Sequence, residues 1–217
     1  MKIDVVSAVG AVTRAVLERD HNGRPARVVE ASRTYDAGIT DVWDALTNAE
    51  RIPRWFLPIS GDLRLGGRYQ LQGNAGGEIR ACEPPRRLAV TWEFGGEVSW
   101  LTVQLREQPG SGTLLQLEHV AHVDDERWKR YGPGAVGVGW DMALTGLAEH
   151  LATGSTIDPA EAMAWLVSGE GKQFAGRSSD GWCRASIESG TDEKKARAQA
   201  ARTTAAYTGQ PEPPNEG

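Results

Sequence analysis

The sequence predicts an α+β fold: an antiparallel β-sheet, built largely as a meander, packed on one long helix that follows it. Three observations predict it. Six short β-patterned segments run from Ser60 to His122, separated by Gly66-Gly67, Gly73 to Gly77, Pro84-Pro85, Gly95-Gly96 and Pro109 to Gly112, which is the punctuation of successive hairpins. After Gly132-Pro133-Gly134 the period changes, and Trp140, Leu144, Leu147 and Leu151 fall on one helical stripe. Ahead of the meander, Asp20-His21-Asn22-Gly23 joins two strand-like segments, and Asn-Gly accepts the positive φ angles of a tight hairpin.

In chain order, Ala11 to Arg19 alternates weakly and returns after the turn as Arg27 to Tyr35. Thr40 to Ala49 then reads as a helix, capped by Thr40 and presenting Val42, Trp43 and Leu46 on one face. Pro53 opens a second short helix carrying Trp55 and Phe56, and Pro58 stops it. The meander strands are expected at Ser60 to Leu65, Arg68 to Gln72, Glu78 to Glu83, Leu88 to Phe94, Val98 to Arg106 and Thr113 to His122. A charged segment, Asp124 to Arg130, separates them from the long helix. Beyond Gly154 the composition turns to Ala, Ser and charge. Asp158-Pro159-Ala160-Glu161 caps a helix carrying Met163, Trp165 and Leu166, and Gly169 to Ser189 and Asp192 to Tyr207 read as two more. The proline-rich end from Gln210 reads as a disordered tail.

Composition narrows the function. A net charge of −5 opposes nucleic-acid binding, which needs a basic face. No run of eighteen apolar residues occurs, so no membrane insertion is expected. The stretch Val5 to Val12 is short, follows Asp4 and contains Ser7 and Gly10, a poor secretory signal. Two cysteines, Cys82 and Cys183, are too few for a disulfide framework or a zinc site, and the expectation is a cytoplasmic protein without cofactor. Eight of the fifteen aromatic residues are Trp, which suggests a large core or an apolar pocket.

Eight short pieces resemble a known superfamily in the same order. They are Arg33-Thr34-Tyr35-Asp36-Ala37, Val42-Trp43-Asp44-Ala45-Leu46-Thr47, Trp55-Phe56 and Gly66-Gly67-Arg68-Tyr69, then Glu83 to Leu88, Thr91-Trp92-Glu93, Leu115 to His119 and Gly139-Trp140. The chain resembles the START-related, birch-pollen-allergen-like superfamily (SRPBCC), and within it the bacterial relatives of the activator of the heat-shock-protein-90 ATPase. The resemblance implies a helix-grip fold, a curved antiparallel sheet around a long C-terminal helix with a hydrophobic cavity between them. It implies no single reaction, since members include lipid carriers, polyketide cyclases and co-chaperones. On this reading residues 1–24 form an N-terminal β extension, 25–153 the helix-grip domain, 154–209 a helical C-terminal extension and 210–217 a disordered tail. The first and third of these depart from the family pattern.

Strand parity selects the candidate site. Leu88, Val90, Trp92 and Phe94 share one face, as do Leu101, Val103 and Leu105, and Leu115, Leu117 and His119. These faces should oppose the Trp140 stripe, either as a filled core or as the wall of a pocket. The expected ligand-binding residues are Trp92, Phe94, His119, Trp140, Leu144, Tyr69, Leu117 and Trp55. His119 is the foremost polar candidate, because an inward imidazole can hydrogen-bond a ligand or move a proton. It can equally be a core histidine satisfied by a neighbour. Arg33 and Glu93 are lesser candidates, with Glu93 on the solvent face by parity. His119 and His122 point to opposite sides, no other His or Cys adjoins them, and no Gly-x-Ser-x-Gly elbow occurs, so neither a metal site nor a nucleophile is expected. Gly132-Pro133-Gly134-Ala135-Val136-Gly137 fits Gly-x-Gly-x-x-Gly, but Asp-Asp-Glu-Arg-Trp-Lys-Arg precedes it where a dinucleotide site needs a buried parallel strand.

The expected function is binding of a small hydrophobic molecule rather than catalysis. The alternatives are a cyclase- or hydrolase-like enzyme using His119 as acid or base, and a co-chaperone-like interaction protein. Phe174, Trp182 and Ala185 should pack the extension onto its own domain or a second subunit of a homodimer.

Overall fold

The computed structural model describes residues 3–123 and 125–213. In chain order the elements are α1 (Val5–Gly10), β1 (Thr13–His21), β2 (Arg24–Tyr35), α2 (Ile39–Thr47), α3 (Ile52–Trp55), β3 (Ile59–Gly61), β4 (Arg68–Leu71), β5 (Gly76–Glu83), β6 (Arg87–Phe94), β7 (Glu97–Glu107) and β8 (Thr113–Ala121). Five helices follow: α4 (Asp125–Tyr131), α5 (Gly134–Thr153), α6 (Pro159–Val167), α7 (Gly169–Glu188) and α8 (Glu193–Thr208). The eight strands form one sheet, antiparallel throughout, in the order β1-β2-β8-β7-β6-β5-β4-β3. This is the helix-grip arrangement, with α5 gripped by the sheet.

Cross-strand register explains why one face is apolar. Val16, Val29, His119, Leu101, Val90 and Ile79 form one row across six strands, and all six are buried. A second row runs through Ala31, Leu117, Val103, Leu88 and Cys82. Because side chains alternate, the row between them, Glu30, Glu118 and Thr102, faces outward and is polar.

Helix α5 is buried on more than one side. Trp140, Leu144 and Leu147 meet the sheet, whereas Gly137 and Asp141 meet α7. A helix covered on several sides needs apolar or small residues on each, which accounts for the four alanine and glycine residues, Ala135, Gly137, Gly139 and Ala143, between Gly134 and Gly146. Gly137 is the clearest case. A Cβ there would lie 2.2 Å from the Trp182 ring, so no larger residue fits without moving the indole. Gly137→Ala is expected to cost about 1–3 kcal/mol, the usual penalty of overpacking, read as a fall in the urea midpoint.

The C-terminal helices dock on the same chain. Side chains of Asp158, Ser168 and Asp192 cap α6, α7 and α8, and Phe174 and Trp182 are fully buried. Helix α7 packs on α5, α1 and β1, and α8 packs on α7 and α4. A second subunit is not needed to cover these aromatics.

Several expectations change. The N-terminal β extension begins with a helix, α1, because the Asp4 carboxylate caps it at Val6 and Ser7. The charged segment from Asp124 holds helix α4, whose Trp128 packs on the core; Asp124 itself lies outside the described residues. The strand expected over 60–65 shrinks to Ile59–Gly61, since Gly61 and Gly66 adopt positive φ and Arg64 bonds back to Asp62. Residues 210–213 carry no helix or strand, yet Glu212 accepts hydrogen bonds from Arg130 (2.7 Å) and Tyr131 (2.7 Å). The rest of the expected disordered tail, 214–217, lies outside the described residues.

Candidate functional site

Sheet and long helix enclose a cavity of about 150 Å³. Strands β4 to β8 supply its floor through Tyr69, Ile79, Val90, Leu101, Val103 and Leu117. Helix α5 supplies the roof through Trp140, Ala143, Leu144 and Leu147, and α2 and α3 close one end with Leu46, Ile52, Trp55 and Phe56. Trp55 and Phe56 stack with ring centroids 5.4 Å apart. Gly146 lets this end approach the helix, because a Cβ there would lie 2.7 Å from the Trp55 carbonyl oxygen.

Most polar atoms on the wall are committed to protein partners, the Trp92 indole N–H excepted. The Trp55 indole donates to the Ala45 carbonyl (2.9 Å), the Tyr69 hydroxyl to the Thr91 carbonyl (2.8 Å), and the Thr47 hydroxyl to the Trp43 carbonyl (2.8 Å). Burial, and secondarily Glu93, pushes the Tyr69 phenol up, so it stays neutral. Cys82 adds a free, half-buried thiol.

His119 is inward, as parity requires, but its chemistry is spent. Its Nδ1 accepts from the Trp140 indole N–H at 3.0 Å, and an indole can only donate. The ring proton therefore sits on Nε2, 2.7 Å from Ser99 Oγ, and Ser99 in turn donates to the Trp92 carbonyl at 3.1 Å. Burial lowers the imidazole pKa to about 4. His119 is neutral, bonded at both nitrogens and absent from the cavity wall. It orients Trp140, whose ring lies 5.0 Å from Trp92 and 5.6 Å from His119. His119 is thus not on the wall of this cavity, although with Ser99 it borders a neighbouring hollow, and a donor-only indole and a serine hydroxyl occupy both of its nitrogens.

Six of the eight expected residues line the cavity together: Trp55, Tyr69, Trp92, Leu117, Trp140 and Leu144. Phe94 does not. It shares Trp92's parity but is the last residue of its strand, faces a separate hollow beside the first turn of α5, and is 59% exposed. Arg33 lies off the cavity, donating to Thr145 (3.3 Å) and to the Ala8 carbonyl (3.4 Å). Glu93 faces outward and pairs with Arg68 at 2.6 Å, which holds its carboxyl below the usual range. The sequence reading missed Leu71, Ile79 and Cys82 on β4 and β5. The register between β5 and β6 shifts between Ile79 and Ala81, and a bulge of this kind breaks the alternation on which parity depends. Among the described residues, no cluster of three or more His, Cys, Asp or Glu could hold a metal.

The family model described as Activator of Hsp90 ATPase homolog 1-like protein matches residues 36–152, more than half of the chain. The crystal structure of CalU16 from Micromonospora echinospora is 36% identical with a TM-score of 0.62, covering 81% of this chain and 98% of that one. The solution NMR structure of CalU16 aligns at 34% identity and a TM-score of 0.68, covering 82% and 97%. Protein MLL2253 from Mesorhizobium loti, 24% identical with a TM-score of 0.52 over 58% of this chain and 97% of that one, shares the fold. The CalU16 match is wider than the family model, so it takes in part of the flanking segments as well. No curated protein matches the chain.

Proposed function

Since this chain belongs to the family of Activator of Hsp90 ATPase homolog 1-like proteins, we propose that it binds a small hydrophobic molecule in the cavity between sheet and long helix. The observation that carries this reading is an apolar lumen whose wall hydroxyl and indole groups already bond to protein, Trp92 excepted. Protein interiors are otherwise close-packed. An unfilled apolar space of this size forgoes packing contacts that an occupant restores. A dry cavity of about 150 Å³ accepts a benzene-sized ring. No charged side chain faces the lumen, so the bound part is uncharged.

This is binding without chemistry. The enzyme alternative needs a proton-transfer group in the lumen, and His119 does not supply one. The co-chaperone alternative has the family's description in its favour. Two free thiols, with Cys183 buried, fit a cytoplasmic setting, and no helix among the described residues is long and apolar enough to cross a membrane.

The test is toluene binding, followed by methyl chemical shifts of the intact protein. Saturable binding is expected. Ala143→Leu adds three carbons to the roof without disturbing helix propensity, and is expected to weaken toluene at least about tenfold, the loss of a few contacts and of the space itself. Equal affinity in the variant, with a folded spectrum, would refute the cavity as the site.

A further inference from the structure

Beyond the cavity lies a second hollow of about 330 Å³. It sits between the β6–β7 hairpin, α4 and the first turn of α5, and Trp92 is the one described side chain that lines both spaces. Three large apolar side chains that solvent reaches converge on it: Phe94, Val98 (48% exposed) and Val136 (41% exposed). The Arg127–Glu97 ion pair, at 2.8 Å, joins its two sides. Isolated exposed apolar residues are ordinary; a converging set beside a cavity marks a binding surface.

Trp92 differs from the other polar residues of the cavity wall. Trp55, Trp140, Tyr69 and Thr47 have each committed their N–H or O–H to protein. The Trp92 indole N–H has no hydrogen-bond partner among the described residues and is not sealed from solvent. One uncommitted donor therefore stands where the apolar cavity meets a groove whose apolar side is Phe94, Val98 and Val136 and whose rim carries the Arg127–Glu97 pair. The cavity alone is below the roughly 300–1,000 Å³ of small-molecule pockets, whereas the two spaces together fall within it.

We infer that the ligand is an elongated, largely apolar ketone or ether, its ring in the cavity, its acceptor oxygen at Trp92 and its hydrocarbon arm in the groove under Phe94, Val98 and Val136. The inference rests on the cavity reading above and extends it to a ligand class. Among the described residues the cavity wall carries no charged side chain, so the part of the ligand held there is uncharged. An alkyl arm with no oxygen leaves the Trp92 donor unused and forgoes one hydrogen bond.

The experiment compares toluene, hexylbenzene and hexanophenone against the full-length protein by titration calorimetry. Hexanophenone is expected to bind about three- to tenfold tighter than hexylbenzene, the value of one neutral hydrogen bond, and both tighter than toluene. Trp92→Phe keeps the aromatic wall and removes the donor, so the ketone's advantage should vanish. Val136→Asp lies in the first turn of α5, where an acidic residue suits the helix. It should weaken both hexyl compounds at least about tenfold by placing a charge against the arm, with toluene unchanged. If toluene binds while hexanophenone gains nothing over it, or if both variants bind hexanophenone as the natural protein does, the two-compartment ligand is refuted and the cavity reading stands. If toluene itself fails to bind, both fall together.

Discussion

Arg14→Met is expected to lower the unfolding free energy by about 3–5 kcal/mol at neutral pH, the cost of leaving one member of a buried ion pair alone. Arg14 Nε and Nη2 approach Asp141 Oδ2 at 2.9 and 2.8 Å, and the side chains are 7% and 0% exposed. The guanidinium also donates to the carbonyls of Val12 (2.8 Å) and Val9 (3.0 Å), and Ser178 donates to the same Asp141 oxygen at 2.5 Å. One cluster thus ties α1 and β1 to α5 and α7. Burial pushes the Asp141 carboxyl up, while Arg14, Ser178 and the Trp182 indole pull it down. Without Arg14 the downward pull weakens, so the folded carboxyl takes a proton more readily, and the penalty should shrink as pH falls. Urea denaturation at two pH values checks both points. Arg14→Met combined with Asp141→Leu should recover most of the loss, because an apolar pair often replaces a buried ion pair at little cost. A single variant as stable as the natural protein would show that the cluster contributes nothing.

His119 sets the second large effect. Burial holds its folded pKa at about 4, below the 6.5 of a free imidazole. Between these values the unfolded chain binds a proton that the folded chain refuses, so stability is full above about pH 6.5 and falls as pH drops toward 4. The loss amounts to about 3 kcal/mol at 1.36 kcal/mol per pH unit. His119→Gln offers an oxygen to the Trp140 indole and an N–H to Ser99 but does not titrate in this range. Its stability at pH 7 should lie within about 0.5–1.5 kcal/mol of the natural protein's, and its acid slope should be shallower by His119's share. Thermal unfolding of both proteins at pH 7, 5.5 and 4 decides it, and parallel slopes would contradict the buried neutral imidazole.

The legible part of this molecule is its periodic part. The alternation in β6, β7 and β8 was enough to place Trp92, Leu117 and His119 inward, and the stripe of α5 was enough to set Trp140 and Leu144 against them. Parity gives a direction, not a partner. It cannot tell that Trp140 and Ser99 occupy both nitrogens of His119, because those residues are far apart in sequence and meet only through the sheet. Nor can it tell which of two neighbouring hollows a side chain enters, which is why Phe94, at the end of its strand, lines the outer one and not the cavity. The α1 helix escaped because six residues hold too few turns to show a period, and its Asp4 cap was the one signal available. The C-terminal helices were readable from their caps, but the buried Arg14–Asp141 pair that anchors α7 was not, since neither residue is unusual in its local pattern.

The sheet order has a kinetic meaning. Strand β2 lies between β1 and β8, so a chain leaving the ribosome completes its first hairpin with one inner edge unsatisfied. That edge waits from Tyr35 until Ala121 has emerged, roughly 4–17 s at synthesis rates of about 5–20 residues per second. During this time Val28, Val29 and Ala31 stand on a hairpin with no core to cover them. Arg27, Glu30 and Arg33 interrupt the same strand, and Pro25 stands near its start. Charges and a proline at such intervals deter pairing with a stray strand. The composition of β2 therefore answers two selections at once, a row that must pack on α5 at the end and an edge that must stay solitary until β8 arrives.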